Sequence, residues 1–228
     1  MKMKETVLRG CMGAALTLLF SGGVQAAATY CDVAGSPNPD GLKYTDMTYN
    51  SANANDCYGV VAGNEPNVSG DLTTGFNNLN LTWGTNWQFL AKDDIDTAGS
   101  GTGTFGGINF TLSSTAGTSG SWTLTGVDIN GAGTSPDLPL FFDFVGMLKG
   151  SNSYALYLFD DVKFDGNDGG SWTISFLNNG GQIPDLSHLN LYIREGDDPG
   201  QEIPEPGTLA LLGLGLIGIS TLRRRKNN

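Results

Sequence analysis

Oxygen-bearing side chains are densest in the run Asp160-Asp161-Val162-Lys163-Phe164-Asp165-Gly166-Asn167-Asp168-Gly169-Gly170. Carboxylates and an amide packed into a glycine-bearing loop are the donors that a hard cation such as Ca²⁺ takes. Asp160, Asp161, Asp165, Asn167 and Asp168 are therefore the candidate metal ligands, and Ca²⁺ is the one cofactor the chain suggests. The spacing departs from an EF-hand loop, and Lys163 inside the run offsets part of its negative charge. The competing reading is a solvated acidic loop that needs no ion. Asp93, Asp94 and Asp96 form a smaller acidic group open to the same two readings.

Parts for catalysis are scarce. His188 is the sole histidine, at the head of an expected strand after Ser187. Neighbouring strand residues point to opposite faces, so Ser187 and His188 cannot act as a dyad. His188 reads as a strand-edge residue with local hydrogen bonds. The chain lacks a G-x-S-x-G elbow, an H-E-x-x-H helix and a clustered His/Cys set for zinc. Acidic residues are plentiful, but no pair stands out for glycosidic chemistry. The expectation is that the protein is not an enzyme, with a secreted hydrolase as the weaker alternative.

The elements around these residues divide the chain in three. Residues 1–26 read as a signal peptide, with Lys2, Lys4 and Arg9 before an apolar run from Cys11 to Phe20. Val24 and Ala26 supply the small residues of a cleavage site, with cutting expected after Ala26. Export through the Sec machinery and signal peptidase follows. It leaves Cys31 and Cys57 as the surviving cysteines, which an oxidising compartment favours pairing. Closing the loop between them is worth about 3–4 kcal/mol if the entropy of the unfolded chain governs. Between residues 27 and 206, five basic side chains (Lys43, Lys92, Lys149, Lys163, Arg194) stand against 22 acidic ones, leaving −17. Such a body does not bind nucleic acid or an anionic surface by charge.

Residues 27–202 read as one all-β body, a β-sandwich or jelly-roll-like domain, with residues 27–70 irregular and pinned by the disulfide. One edge strand is expected near 42–49. Further strands are expected at 79–82, 87–91, 104–112, 122–129, 140–148, 154–162, 172–177 and 188–194. Large apolar residues alternate in Trp122-Leu124 and in Trp172-Ile174-Phe176. The continuous apolar run from Ala155 to Phe159 suits a strand covered on both faces. Gly120-Ser121-Trp122-Thr123-Leu124 is echoed by Gly170-Ser171-Trp172-Thr173-Ile174, and both tryptophans read as core anchors of two equivalent hairpins. The body contains no amphipathic helix of convincing length.

The tail, 203–228, carries the most information. Pro204-Glu205-Pro206 arrests any helix before it, because each proline fixes φ and lacks an N–H. From Gly207 to Leu222 no residue is charged. As a helix this stretch rises about 24 Å against about 30 Å of bilayer hydrocarbon, short but workable as a transmembrane span. Arg223, Arg224, Arg225 and Lys226 form a basic stop that places the C-terminus in the cytoplasm.

Tripeptide, short apolar helix and terminal arginine cluster together resemble the PEP-CTERM sorting signal of Gram-negative bacteria, over this tail alone. The resemblance implies that exosortase, a membrane cysteine transpeptidase, recognises Pro204, Glu205 and Pro206 and cuts near them. The protein would sit transiently in the inner membrane and then reach the cell surface or extracellular matrix. The leading expectation for the body is a non-enzymatic structural or adhesive role, touching exopolysaccharide. The alternative from another class is a Ca²⁺-dependent, lectin-like glycan-binding module.

Overall fold

The computed structural model describes residues 28–31, 37–95, 99–130 and 138–197. The signal segment with Val24 and Ala26, the tripeptide at 204–206, the apolar stretch at 207–222 and the basic stop at 223–226 all lie outside the described residues. Among the described residues, no helix is long and apolar enough to cross a membrane.

The body is all-β. Its larger sheet has six strands in the order β1 (Thr29–Tyr30), β4 (Asp56–Ala62), β10 (Ser153–Phe164), β9 (Leu140–Gly150), β12 (Leu186–Glu195) and β5 (Gln88–Asp94). The smaller has four, in the order β11 (Asn167–Thr173), β8 (Ser119–Asp128), β7 (Ile108–Ser114) and β6 (Gly101–Phe105). A short hairpin of β2 (Thr48–Tyr49) and β3 (Ala52–Asn53) lies beside β11, and one six-residue helix, α1 (Leu72–Asn77), follows β4. Sheets of six and four strands replace the eight or so expected. All the pairings are antiparallel, so each strand alternates its side chains between the two faces of its sheet.

That alternation builds the core. Phe142, Phe144, Ala155, Tyr157, Phe159, Leu191 and Ile193 of the large sheet share one apolar cluster with Phe110, Leu112, Trp122, Leu124 and Trp172 of the small one. Phe144 stacks on Phe159 with ring centroids 4.5 Å apart and meets Trp122 edge-on at 5.6 Å. Rings at these separations gain attraction beyond the area they bury. One corner between the two sheets is closed by glycine. A Cβ on Gly103 of β6 would sit 1.7 Å from the Leu90 carbonyl oxygen of β5, so only a bare backbone approaches this closely.

The opposite face of the large sheet is covered as well. Val145, Met147, Tyr154, Leu156, Leu158 and Tyr192 form a second cluster with Phe76 of α1 and with Leu81, Trp83 and Trp87 of the segment that follows it. Asp71 starts the helix as an N-cap, its side chain accepting from the Thr74 N–H. Strands β9, β10 and β12 are thus buried on both faces, which accounts for the unbroken apolar run at 155–159. The outer face of the small sheet stays in water. Registers place Thr102, Thr111, Thr125 and Asn167 in one row across its four strands.

Several expected elements shift. Residues 104–112 are two strands joined by Gly106-Gly107, both at positive φ, which is the geometry of a tight hairpin. Residues 79–82 are turn and loop rather than strand. The segment 172–177 gives way to β11, which begins five residues earlier, at Asn167. Within 27–70, the seven-residue β4 is a structural strand next to the centre of the large sheet. The 42–49 edge strand shrinks to a 3₁₀ turn at Tyr44–Asp46 and the two residues of β2. The two G-S-W-T copies are not separate hairpins: Trp122 pairs with Gly170 and Trp172 with Gly120, directly across β8 and β11.

Candidate functional site

Cys31 and Cys57 are joined as a disulfide with Cα atoms 5.1 Å apart, at the seam where β1 meets β4. The backbone N–H of Cys31 donates to the Cys57 carbonyl at 2.8 Å, so the bridge reinforces an existing strand pairing. It ties the first described strand to the sheet that carries the rest of the molecule.

The acidic run does not form one site. Asp160 and Asp161 lie at a bulge of β10, where the register against β9 shifts. Asp160 faces Arg194 at 3.8 Å, and burial with neighbouring Asp143 and Asp161 pushes its carboxyl up from the ordinary value. Asp161 donates its N–H to Asp143 at 2.8 Å and accepts from the Asp197 N–H at 2.7 Å. Asp165, Asn167 and Asp168 lie at the far end of the strand, in and after the turn into β11. Asp165 pairs with Lys163 at 2.8 Å, and Asp168 accepts from Asn50 and from the Asp165 N–H. The five candidate ligands thus fall into two groups, each already answered by protein donors. Among the described residues no group of three or more His, Cys, Asp and Glu is arranged to hold a metal ion.

His188 is not a strand-edge residue with local bonds. It sits in β12 between β9 and β5, 9% exposed, on the covered outer face of the large sheet. Its Nε2 lies 2.5 Å from Glu65 of the loop before α1, and its Nδ1 lies 3.6 Å from Asp94. Lys92 reaches both carboxylates at 3.2 Å, and buried Lys149 lies opposite His188 on β9. The Glu65 contact is close but poorly aligned for hydrogen bonding, since Nε2 has no partner with hydrogen-bond geometry. Burial outweighs Glu65 here and holds the imidazole below its ordinary pKa, with Lys92 and Lys149 acting in the same direction. Burial likewise pushes the Lys149 ammonium down. Glu65 and Asp94 approach opposite ring nitrogens, so the three cannot converge on one ion. The cluster pins the covering layer to the sheet.

A second polar anchor lies at the other end of the same face. The Arg194 guanidinium donates to Asp143 from Nε at 2.6 Å and to the Trp83 carbonyl from Nη1 at 2.5 Å. Its carbon lies 4.2 Å from the centre of the Trp87 ring, a cation–π contact. Trp83 in turn donates its indole N–H to Asp56 at 2.7 Å. All four tryptophans of the chain are buried, at 1–7% exposure, so none offers an open stacking platform.

The body's geometry alone names no reaction. The tail settles more. Residues 202–226 match the family model of the PEP-CTERM protein-sorting motif. The tail is a PEP-CTERM sorting signal. A PEP-CTERM tail marks an exported protein that is anchored in the membrane before exosortase acts on it. The match spans the tripeptide, the apolar stretch and the basic stop, and leaves residues 1–201 without an assignment. No curated protein and no solved structure matches the chain.

Proposed function

We propose that this protein is delivered across the inner membrane, held there by residues 207–222 with its C-terminus in the cytoplasm, and sorted by exosortase at Pro204-Glu205-Pro206. It then serves at the cell surface or in the extracellular matrix in a non-enzymatic, structural or adhesive role against exopolysaccharide. The observation that carries this reading is the PEP-CTERM match at residues 202–226. The disulfide agrees with an oxidising destination, and the excess of acid agrees with a well-solvated extracellular body. The Ca²⁺ reading gains no support from the geometry, because the candidate ligands fall into two groups, with Lys163 facing Asp165 in one and Arg194 facing Asp160 in the other.

The test is the double substitution Pro204→Ala and Glu205→Ala in the full chain, followed by cell fractionation. The expected outcome is protein retained in the inner membrane with its tail intact. Unchanged processing and release would contradict the reading.

A further inference from the structure

A groove of about 400 Å³ opens at the Arg194 end of the sandwich, lined by Thr85, Asn86, Gln88, Phe105, Arg194 and Glu195. Its volume is within the range of about 300–1,000 Å³ usual for small-molecule sites. Four pieces of chain meet here: the turn after Trp83, the start of β5, the end of β6 and the end of β12. We propose that this groove is a binding site for a neutral oligosaccharide. The proposal rests on the adhesive part of the function given above and supplies the ligand class and the place.

The first support is rigidity. Arg194 is held from beneath by Trp87 and from the sides by Asp143 and the Trp83 carbonyl. Gly84, at φ +84°, makes room for it, since a Cβ there would stand 2.8 Å from Nη1. A wall fixed before the ligand arrives loses little entropy on binding. The second support is spare hydrogen-bonding capacity. Thr85, Asn86, Gln88 and Glu195 are exposed side by side along one concave surface, and no side-chain hydrogen bond among the described residues engages them. Two amides, a hydroxyl and a carboxylate offer donors and acceptors side by side, which is what a row of sugar hydroxyls requires. Phe105, half-buried, adds an apolar ring for the C–H face of a pyranose.

Charge decides between neutral and acidic sugars. The Arg194 cation is already answered by Asp143 at 2.6 Å and faces Asp160 at 3.8 Å, while Glu195 adds negative charge to the groove. A carboxylated or sulfated glycan would meet net repulsion, whereas a neutral one meets none.

The test is calorimetric titration of the full-length chain in detergent with cellohexaose, maltohexaose and mannohexaose, and with hexagalacturonate as the acidic comparison. Binding of at least one neutral hexasaccharide is expected, with a change in tryptophan fluorescence from Trp87 beneath Arg194. Gln88→Ala and Asn86→Gly, the latter keeping the positive φ of that turn, each weaken it by about tenfold. Thr123→Lys, on the open face of the small sheet, leaves it unchanged. Failure of every neutral sugar to bind overturns the proposal. So does binding that survives both groove variants in folded protein, that prefers the acidic sugar, or that Thr123→Lys abolishes. Gln88→Ala leaves processing of the tail untouched, so loss of the sugar site and loss of sorting are separable results.

Discussion

The two faces of the six-stranded sheet are both buried, yet they are built on different principles. The inner face meets another sheet through alternating aromatic and aliphatic side chains clustered around Phe142, Phe144, Phe159, Trp122 and Trp172, with buried Asp93 accepting from Ser114 of the small sheet and buried Asp46 accepting from Tyr157 and Ser175. The outer face meets a short helix and a loop. Its apolar centre, where Phe76 stacks on Tyr192 at 4.1 Å, is flanked by ionic anchors at Glu65–Lys92 and at Asp143–Arg194. The sheet-on-sheet face rests mainly on apolar area, while the loop layer is also held by ion pairs at its two ends. The inner face should therefore dominate global stability, and the outer layer should open on its own.

The largest expected effect belongs to the inner face. Phe144→Ala removes a ring that contacts Tyr49, Trp122, Phe142 and Phe159, and should cost about 3–5 kcal/mol by chemical denaturation. Phe76→Ala on the outer side should cost less, about 3 kcal/mol at the low end of that range, because the covering layer can relax into the space. Its clearer signature is in amide exchange: residues 63–87 should lose protection while β9 and β10 keep theirs. Equal losses in both regions would show that the two faces unfold as one unit.

The smallest effect concerns His188, beside the Glu65–Lys92 ion pair. The folded state holds His188 below its ordinary pKa, so the unfolded chain binds that proton more readily. Stability from this group is intact above about pH 6.5 and falls as the pH drops through that value, by at most about 1.4 kcal/mol per pH unit. His188→Gln should flatten the curve between pH 7 and 5, with Glu65, Lys92, Asp94 and Lys149 common to both proteins. Asp46 and Asp160 act in the opposite sense: burial raises both carboxyls, so the folded chain takes up their protons first as the pH falls, and this contribution is common to both proteins. A slope unaffected by the substitution would remove His188 from the account.

These contrasts also explain what could be read from the chain. Trp122, Trp172, the run at 155–159 and the pairing of Cys31 with Cys57 were legible because alternation and compartment are local or compositional facts. Strand β11 was hidden by Gly169 and Gly170, which look like turn residues; a Cβ on Gly170 would stand only 1.8 Å from the Thr48 carbonyl oxygen. Strand β4 was hidden among loop-forming neighbours. Gly106-Gly107 carries a two-residue hairpin signal, and this turn divides the single strand expected at 104–112. The partnership of Glu65 with His188 had no sequence signature, because the two residues meet only through the covering layer. The same holds for the groove, whose lining comes from four separate segments. The tail was readable for the opposite reason: tripeptide, apolar stretch and basic stop are adjacent in sequence and need no fold to be recognised.

The disulfide agrees with export of the body, and the surface role presupposes in addition that the tail is read. The most direct measurement is the non-reduced intact mass of the protein recovered from the cell surface or matrix. The account expects a chain that begins after Ala26, ends near Pro206 and is lighter by the hydrogens lost in joining Cys31 to Cys57. A full-length species of 24.0 kDa with both thiols free would contradict it.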